Sequence, residues 1–255
     1  MNQKLRHGLA LDERDPLWAC SGMLACLAFA SFDATTPEEA WPLAPPRPDD
    51  FDYMKFCCGK KVIWKLTDPL RKDSVFSPVA TDFTKMHDAP SLNFQLQDSA
   101  MARLVQLCGI DSTSTADNNI YYGAVCVLVN LANIECNSKT MSKFLAFFGC
   151  MHSDFRLLLE QYDPCAMLIL GFWYAKVSHS QQWWLQRRVN VQCQGICVYL
   201  IHHHPNDYNV LRLVQDIKMT YSGQWQDKNA KQYHGYRESS ISVMQVLEGV
   251  PEFTY

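Results

Sequence analysis

Residues 162–196 read YDPCAMLILGFWYAKVSHSQQWWLQRRVNVQCQGI, and this stretch decides the fold. Asp163-Pro164 is a helix opening, because a carboxylate caps free amides and proline is tolerated in the first turn. The apolar run behind it predicts a helix over 164–178, and a second helix follows over 181–201 after a short polar turn. Phe172, Trp173, Tyr174, Trp183 and Trp184 surround that helix–turn–helix junction. Five rings either pack a core or wall a cavity for a flat apolar ligand. Leu168, Gly171 and Ala175 offer small or flexible positions on the first helix, leaving room for a neighbouring helix or for a ligand. The candidate pocket residues are therefore Leu168, Gly171, Phe172, Trp173, Ala175, Trp183 and Trp184. Adjacent helical residues point about 100° apart, so one of Trp183 and Trp184 is expected inside and the other partly exposed.

Working outward, the same helical grammar recurs. Towards the N-terminus, residues 1–14 are polar and read as a flexible start. Asp15-Pro16 resembles another helix opening, and Leu17 to Phe32, rich in Ala, Cys, Met and Leu, reads as helix. Residues 33–50 carry Pro37, Pro42, Pro45, Pro46 and Pro48, which predicts a rigid, irregular connector. Within it Thr36 and Glu39 have the spacing of a capping box. A helix is predicted from Asp50 to about Leu66, since Phe51, Met54, Cys58, Val62 and Leu66 recur at helical spacing; Asp68-Pro69 ends it. Shorter helices are expected near 74–83 and 97–108, with 86–96 loop-like and GIDSTSTADN a polar connector. Ile120 to Ile134 includes Val125, Val127 and Val129, an alternation that suits a strand, but its length and neighbours favour helix. Helices are expected over 140–149, 153–161 and 206–220. Residues 223–255 form a polar tail in which Val243, Val246 and Leu247 could build a short docking helix. The sum is an all-α chain: a single irregular helical domain over 15–255 with an apolar, aromatic-rich core.

Composition agrees with a packed core. Of 255 residues, 48% are hydrophobic and 19% charged, with 13 Phe, 11 Tyr and 7 Trp. Such a chain buries enough surface to offset its ordering entropy. The net charge is -3, and the densest basic runs, Lys60-Lys61 and Arg187-Arg188, are too short for a phosphate-tracking surface, so specific DNA binding by this chain is not expected. The 11 cysteines are odd in number, irregularly spaced and mostly inside apolar runs. They read as free thiols acting as small hydrophobes in a reducing compartment, which places the chain inside the cell, in nucleus or cytoplasm. The run nearest to a membrane span, Leu17 to Phe32, is too short for one.

Motifs of catalysis are sparse. His202, His203 and His204 are consecutive, so they cannot all face one metal, and they suit a helix C-terminus, where the dipole favours a cation. Asp207 and Asp216 lack the three- or four-residue spacing of a magnesium–diphosphate site, and there is no DDxxD. Cys193 and Cys197 share a helix without the second ligand pair that zinc requires. No Gly-rich phosphate loop, HExxH or GxSxG is present, and no context marks a Cys–His nucleophile pair. No metal and no cofactor are expected.

The 162–196 stretch resembles the C-terminal regulatory domain of fungal zinc-cluster transcription factors of the sterol-uptake regulator type. Pro164, Ala166, Leu168, Leu170, Tyr174 and Ala175 match that family's first helix, and Trp183 and Trp184 its Trp-Trp pair. The segment DDFDYMKFCCGKKVIWKLTDPLRKDSVFSPV is similar to a second family element, with Gly59 and Ile63 aligned and Tyr53 in place of a tryptophan. The resemblance covers about residues 17–222. It implies an all-α regulatory domain whose ligand is an apolar small molecule, sterol- or polyketide-like, or whose partner is a protein, a second copy of the chain included. The family's six-cysteine DNA-binding module is not in this sequence, which reads as beginning inside the regulatory domain. The alternative is a small cofactor-independent enzyme of cyclase or isomerase type in fungal secondary metabolism.

Overall fold

The computed structural model describes residues 9–58, 60–87 and 99–221. Among them are eleven α-helices and one 3-10 turn, and no strand. In chain order the helices are α1 (Leu11–Ala30), α2 (Asp52–Cys58), α3 (Lys60–Thr67), α4 (Ser77–His87), α5 (Ser99–Leu107) and α6 (Tyr122–Leu131). They continue with α7 (Met141–Cys150), α8 (Phe155–Glu160), α9 (Pro164–Val177), α10 (Trp183–His203) and α11 (Tyr208–Thr220). The fold is all-α, and the valine-rich segment is helical, as α6. The predicted docking helix around Val243 and most of the loop at 86–96 lie outside the described residues.

α9 is the axis of the molecule. Every residue from Ala166 to Ala175 is buried, so the helix has no solvent face. A helix apolar all round is stable only when neighbours cover every side. Here α10 and α11 pack along it, and α5, α6 and α8 touch it elsewhere. Its start follows the local signals: Pro164 opens the first turn and the Asp163 carboxylate accepts the Ala166 N–H at 2.8 Å. α11 is capped alike, with Asp207 accepting from Asn209 N–H at 3.0 Å and Val210 N–H at 3.1 Å.

One start differs from expectation. α1 begins at Leu11, ahead of Asp15, so Pro16 lies inside the helix rather than in its first turn. The Glu13 carboxylate reaches back to the Ala10 N–H at 3.3 Å and supplies the cap. Asp15 is then free for another task. Its Oδ1 accepts from Arg71 at 2.6 Å and from the Ser74 hydroxyl at 2.7 Å, and its Oδ2 from the Val75 N–H at 3.1 Å. One carboxylate thereby ties the loop after α3 to the first helix. The helix expected from Asp50 to Leu66 is present as α2 and α3, on either side of Gly59, which lies outside the described residues.

The proline-rich connector is packed rather than loose. Its Thr36 and Glu39 form the capping box, the Glu39 carboxylate accepting from the amides of Thr35 at 2.8 Å and Thr36 at 3.3 Å. Phe32, Ala34 and Ala40 bury against Val191 of α10. The connector comes so close to α10 that a Cβ on Gly195 would stand 3.2 Å from Pro42 Cδ. Among the described residues, no helix is long and apolar enough to cross a membrane.

Candidate functional site at the aromatic junction

The seven candidate residues fall into three environments. Leu168, Trp173 and Ala175 are 0% exposed, and Phe172 and Gly171 are also buried. Gly171 faces α10 and α11: a Cβ there would stand 2.9 Å from Ile217 Cδ1 and 3.4 Å from Ile196 Cγ2. The room that the glycine leaves is taken by the neighbouring helices. Trp173, two residues on and so on the opposite side of α9, faces α7 and α1 instead. Its indole N–H donates to the Phe144 carbonyl at 2.9 Å, its ring stacks on Phe147 at 5.5 Å, and Phe148 meets it edge-on at 4.7 Å. Phe29 of α1 touches both indoles of the junction, Trp173 at 6.1 Å and Trp184 at 5.8 Å. Trp184 is half-buried, and Trp183 is 72% exposed. The structure thus joins Trp173 and Trp184 through Phe29, turns Gly171 into a different seam, and leaves Trp183 at the surface.

Beside the rings lies a polar chain that the sequence reading missed. The Tyr174 hydroxyl donates to Gln192 Oε1 at 2.5 Å and stands 2.9 Å from the Tyr53 hydroxyl. A phenol has one proton, so with Tyr174 donating to Gln192, Tyr53 donates to Tyr174. Arg188 adjoins the chain and is only 6% exposed. Its Nε donates to the Phe29 carbonyl at 2.9 Å and its second terminal nitrogen to the Ser31 carbonyl at 3.1 Å, at the C-terminal end of α1. The guanidinium lies over Tyr53 at 4.2 Å, Phe32 at 4.5 Å and Phe29 at 5.3 Å. A helix C-terminus and three ring faces together stabilise a buried cation. In the sequence Arg188 is half of a basic doublet too short for a phosphate-tracking surface. The helical spacing of Trp184, Arg188 and Gln192, which share one face of α10, was the signal available.

A second aromatic group runs from the connector to the end of α10. Trp41 stacks on Tyr162 at 6.0 Å, Tyr162 on Tyr199 at 5.0 Å and Tyr199 on His203 at 3.8 Å. This gives the histidine run a structural place. His203 covers the last ring, its Nδ1 is 3.0 Å from the Tyr199 carbonyl, and His204 is the helix cap residue. Burial and the neighbouring His203 hold the His202 pKa below its ordinary value. Asp207 caps α11 and Asp216 pairs with Arg103 at 2.6 Å, so the two aspartates serve different ends of that helix. Among the described residues, no three His, Cys, Asp or Glu side chains are placed to share a metal ion. No protein-family model, curated protein or solved structure matches the chain.

Proposed function

We propose that this chain is a regulatory-type helical domain, related to the C-terminal domains of fungal zinc-cluster transcription factors, and that it works by binding rather than by catalysis. Its ligand is an apolar small molecule of sterol or polyketide type, or an apolar face of a protein partner, and its place is inside the cell in a lipid or secondary-metabolite pathway. The observation that carries this reading is the division of labour within Trp183-Trp184. Trp184 is held by Phe29, while Trp183, one residue away on the same rigid helix, holds a large indole 72% in solvent. An exposed indole is a ready anchor for an apolar surface, because it contributes much contact area for few rotatable bonds. The buried polar groups of the junction support binding too. They are phenols, an amide and a guanidinium already engaged with one another or with main-chain carbonyls, suited to holding a shape rather than moving protons between substrate atoms.

Titration of the full chain with ergosterol and with an aromatic polyketide, read by tryptophan emission, tests the reading. Saturable quenching by either one, absent in Trp183→Ala, is the expected result. A flat emission signal with both, together with unchanged hydrodynamic size in the presence of candidate protein partners, would remove the basis for a binding role at this junction.

A further inference from the structure

α9 starts where two distant cysteines meet. Cys165 is in its first turn, half-buried, and its S–H donates to the Leu107 carbonyl at 3.8 Å. Cys108, the next residue after Leu107, is 4% exposed. It is fixed by its own N–H, which donates to the Leu104 carbonyl at 3.0 Å, and by its carbonyl, which accepts from the Asn119 side chain at 3.1 Å. Leu107 is bonded directly to Cys108, so the Cys165 sulfur at its carbonyl lies beside Cys108, and the two thiols interact electrostatically. The surrounding polar groups are also anchored. Asp163 Oδ1 accepts both the Ala166 N–H at 2.8 Å and the Tyr121 hydroxyl at 3.1 Å. Neighbouring thiols, each on a main chain held in place, need little movement to reach bonding distance.

The two sulfurs are not equivalent. The interaction with Cys108 holds the Cys165 thiol below its ordinary value, although burial and the charges of Asp163 and Asp207 act the other way. The first turn of a helix favours a thiolate as well. The same interaction, burial and the neighbouring charges push the Cys108 thiol far up. Cys165 is the one that solvent reaches, while Cys108 is buried behind it.

We propose that Cys165 and Cys108 are a peroxide-reactive dithiol, with Cys165 the attacking and Cys108 the resolving sulfur, which closes to a disulfide linking the end of α5 to the start of α9. The oxidant is hydrogen peroxide. The Cys165 thiolate attacks one peroxide oxygen, the O–O bond breaks, and the departing hydroxide takes a proton and leaves as water. Cys165 is then a sulfenic acid. The Cys108 sulfur attacks the Cys165 sulfur, its proton goes to the leaving hydroxyl, the S–O bond breaks and a second water departs as the S–S bond forms. Two thiols are oxidised and one peroxide is reduced. Cys193 and Cys197 provide the internal contrast. They sit one turn apart on α10, with the Cys193 S–H donating to the Gly171 carbonyl at 3.9 Å, but both are 0% exposed and out of the oxidant's reach. The proposal is independent of the regulatory reading, since it needs no ligand at the aromatic junction.

The test is a thiol map of the reduced full chain before and after hydrogen peroxide, with remaining thiols alkylated and the digest read by mass spectrometry. The expected product is a Cys108–Cys165 linked peptide, lighter by two hydrogens and lost on dithiothreitol treatment, with Cys193 and Cys197 still reduced. In Cys108→Ser the sulfenic acid has no resolving partner, so Cys165 should be trapped by dimedone. The wild-type map stands by itself if that variant does not fold. Alkylation of Cys108 and Cys165 that is unchanged by peroxide would overturn the proposal, as would preferential linkage of either one to a different cysteine.

Discussion

Trp173 donates its indole N–H to the main-chain carbonyl of Phe144 at 2.9 Å, so the largest side chain of the central helix is tied to α7 by direction as well as by packing. The ring loses its stack on Phe147 and its edge contact with Phe148 when truncated. Trp173→Ala should therefore cost about 3–5 kcal/mol, a large share of the roughly 5–15 kcal/mol that holds a domain folded. Trp173→Phe keeps most of the ring contact and removes only the indole N–H bond to the Phe144 carbonyl, so its cost should be clearly smaller. Urea midpoints of the two variants check this; equal losses would mean that the indole's direction contributes nothing.

Arg188 supports the end of α1 through two carbonyls, those of Phe29 and Ser31. Arg188→Met keeps a long apolar stem but provides no donor. Leaving the buried Phe29 carbonyl without this donor should cost about 1–3 kcal/mol. Arg188→Lys keeps the charge but not the planar fork that serves two acceptors, and should lie between methionine and wild type. Chemical denaturation ranks the three. A methionine variant as stable as wild type would show that the cation's burial cancels all that its hydrogen bonds contribute.

Asp15 gives the loop–helix tie a pH dependence. Burial acts to raise its pKa, but the hydrogen bonds from Ser74, Val75 and Arg71 and the Arg71 charge outweigh it, so the carboxyl is held below its ordinary 3.8. A depressed folded-state pKa contributes stability that is fully present above about 3.9 and is lost as pH falls through the lowered folded value. Wild type should exceed Asp15→Asn in thermal midpoint at neutral pH, with the gap closing below pH about 4. A gap independent of pH would assign the effect to shape and not to charge.

The sequence made legible the features whose signals are local. Asp163-Pro164 marks the start of α9 because cap and proline act within one turn. Helix geometry turns the indoles of Trp183 and Trp184 apart, but the one expected inside is only half-buried and the other is mostly in solvent, because how far each ring is covered depends on packing by α1 and not on the helix itself. Asp15-Pro16 carries the same local signal as Asp163-Pro164 and does not mark a start, because Arg71, Ser74 and Val75 claim the Asp15 carboxylate. Those partners are distant in the chain and leave no trace in the pattern around Asp15. Gly171 is similar. Its small size signalled a close approach, but only the fold shows that Ile217 and Ile196 fill the space. The burial of Arg188 was not legible, since a short basic doublet says nothing of the carbonyls of Phe29 and Ser31 or the rings of Phe29, Phe32 and Tyr53 that the fold brings to it.

The central claim is that Trp184 serves the core and Trp183 serves binding. Replacing each with alanine and measuring both stability and ligand response in the same preparations separates the two roles. Trp184→Ala should lower the denaturation midpoint by about 2 kcal/mol in stability, less than a fully buried tryptophan because its ring is half-covered. Trp183→Ala should stay within about 0.5 kcal/mol of wild type, as exposed positions do, and should lose the quenching of tryptophan emission by ergosterol or the aromatic polyketide. Equal stability losses in the two variants, with no ligand response in wild type, would contradict the account.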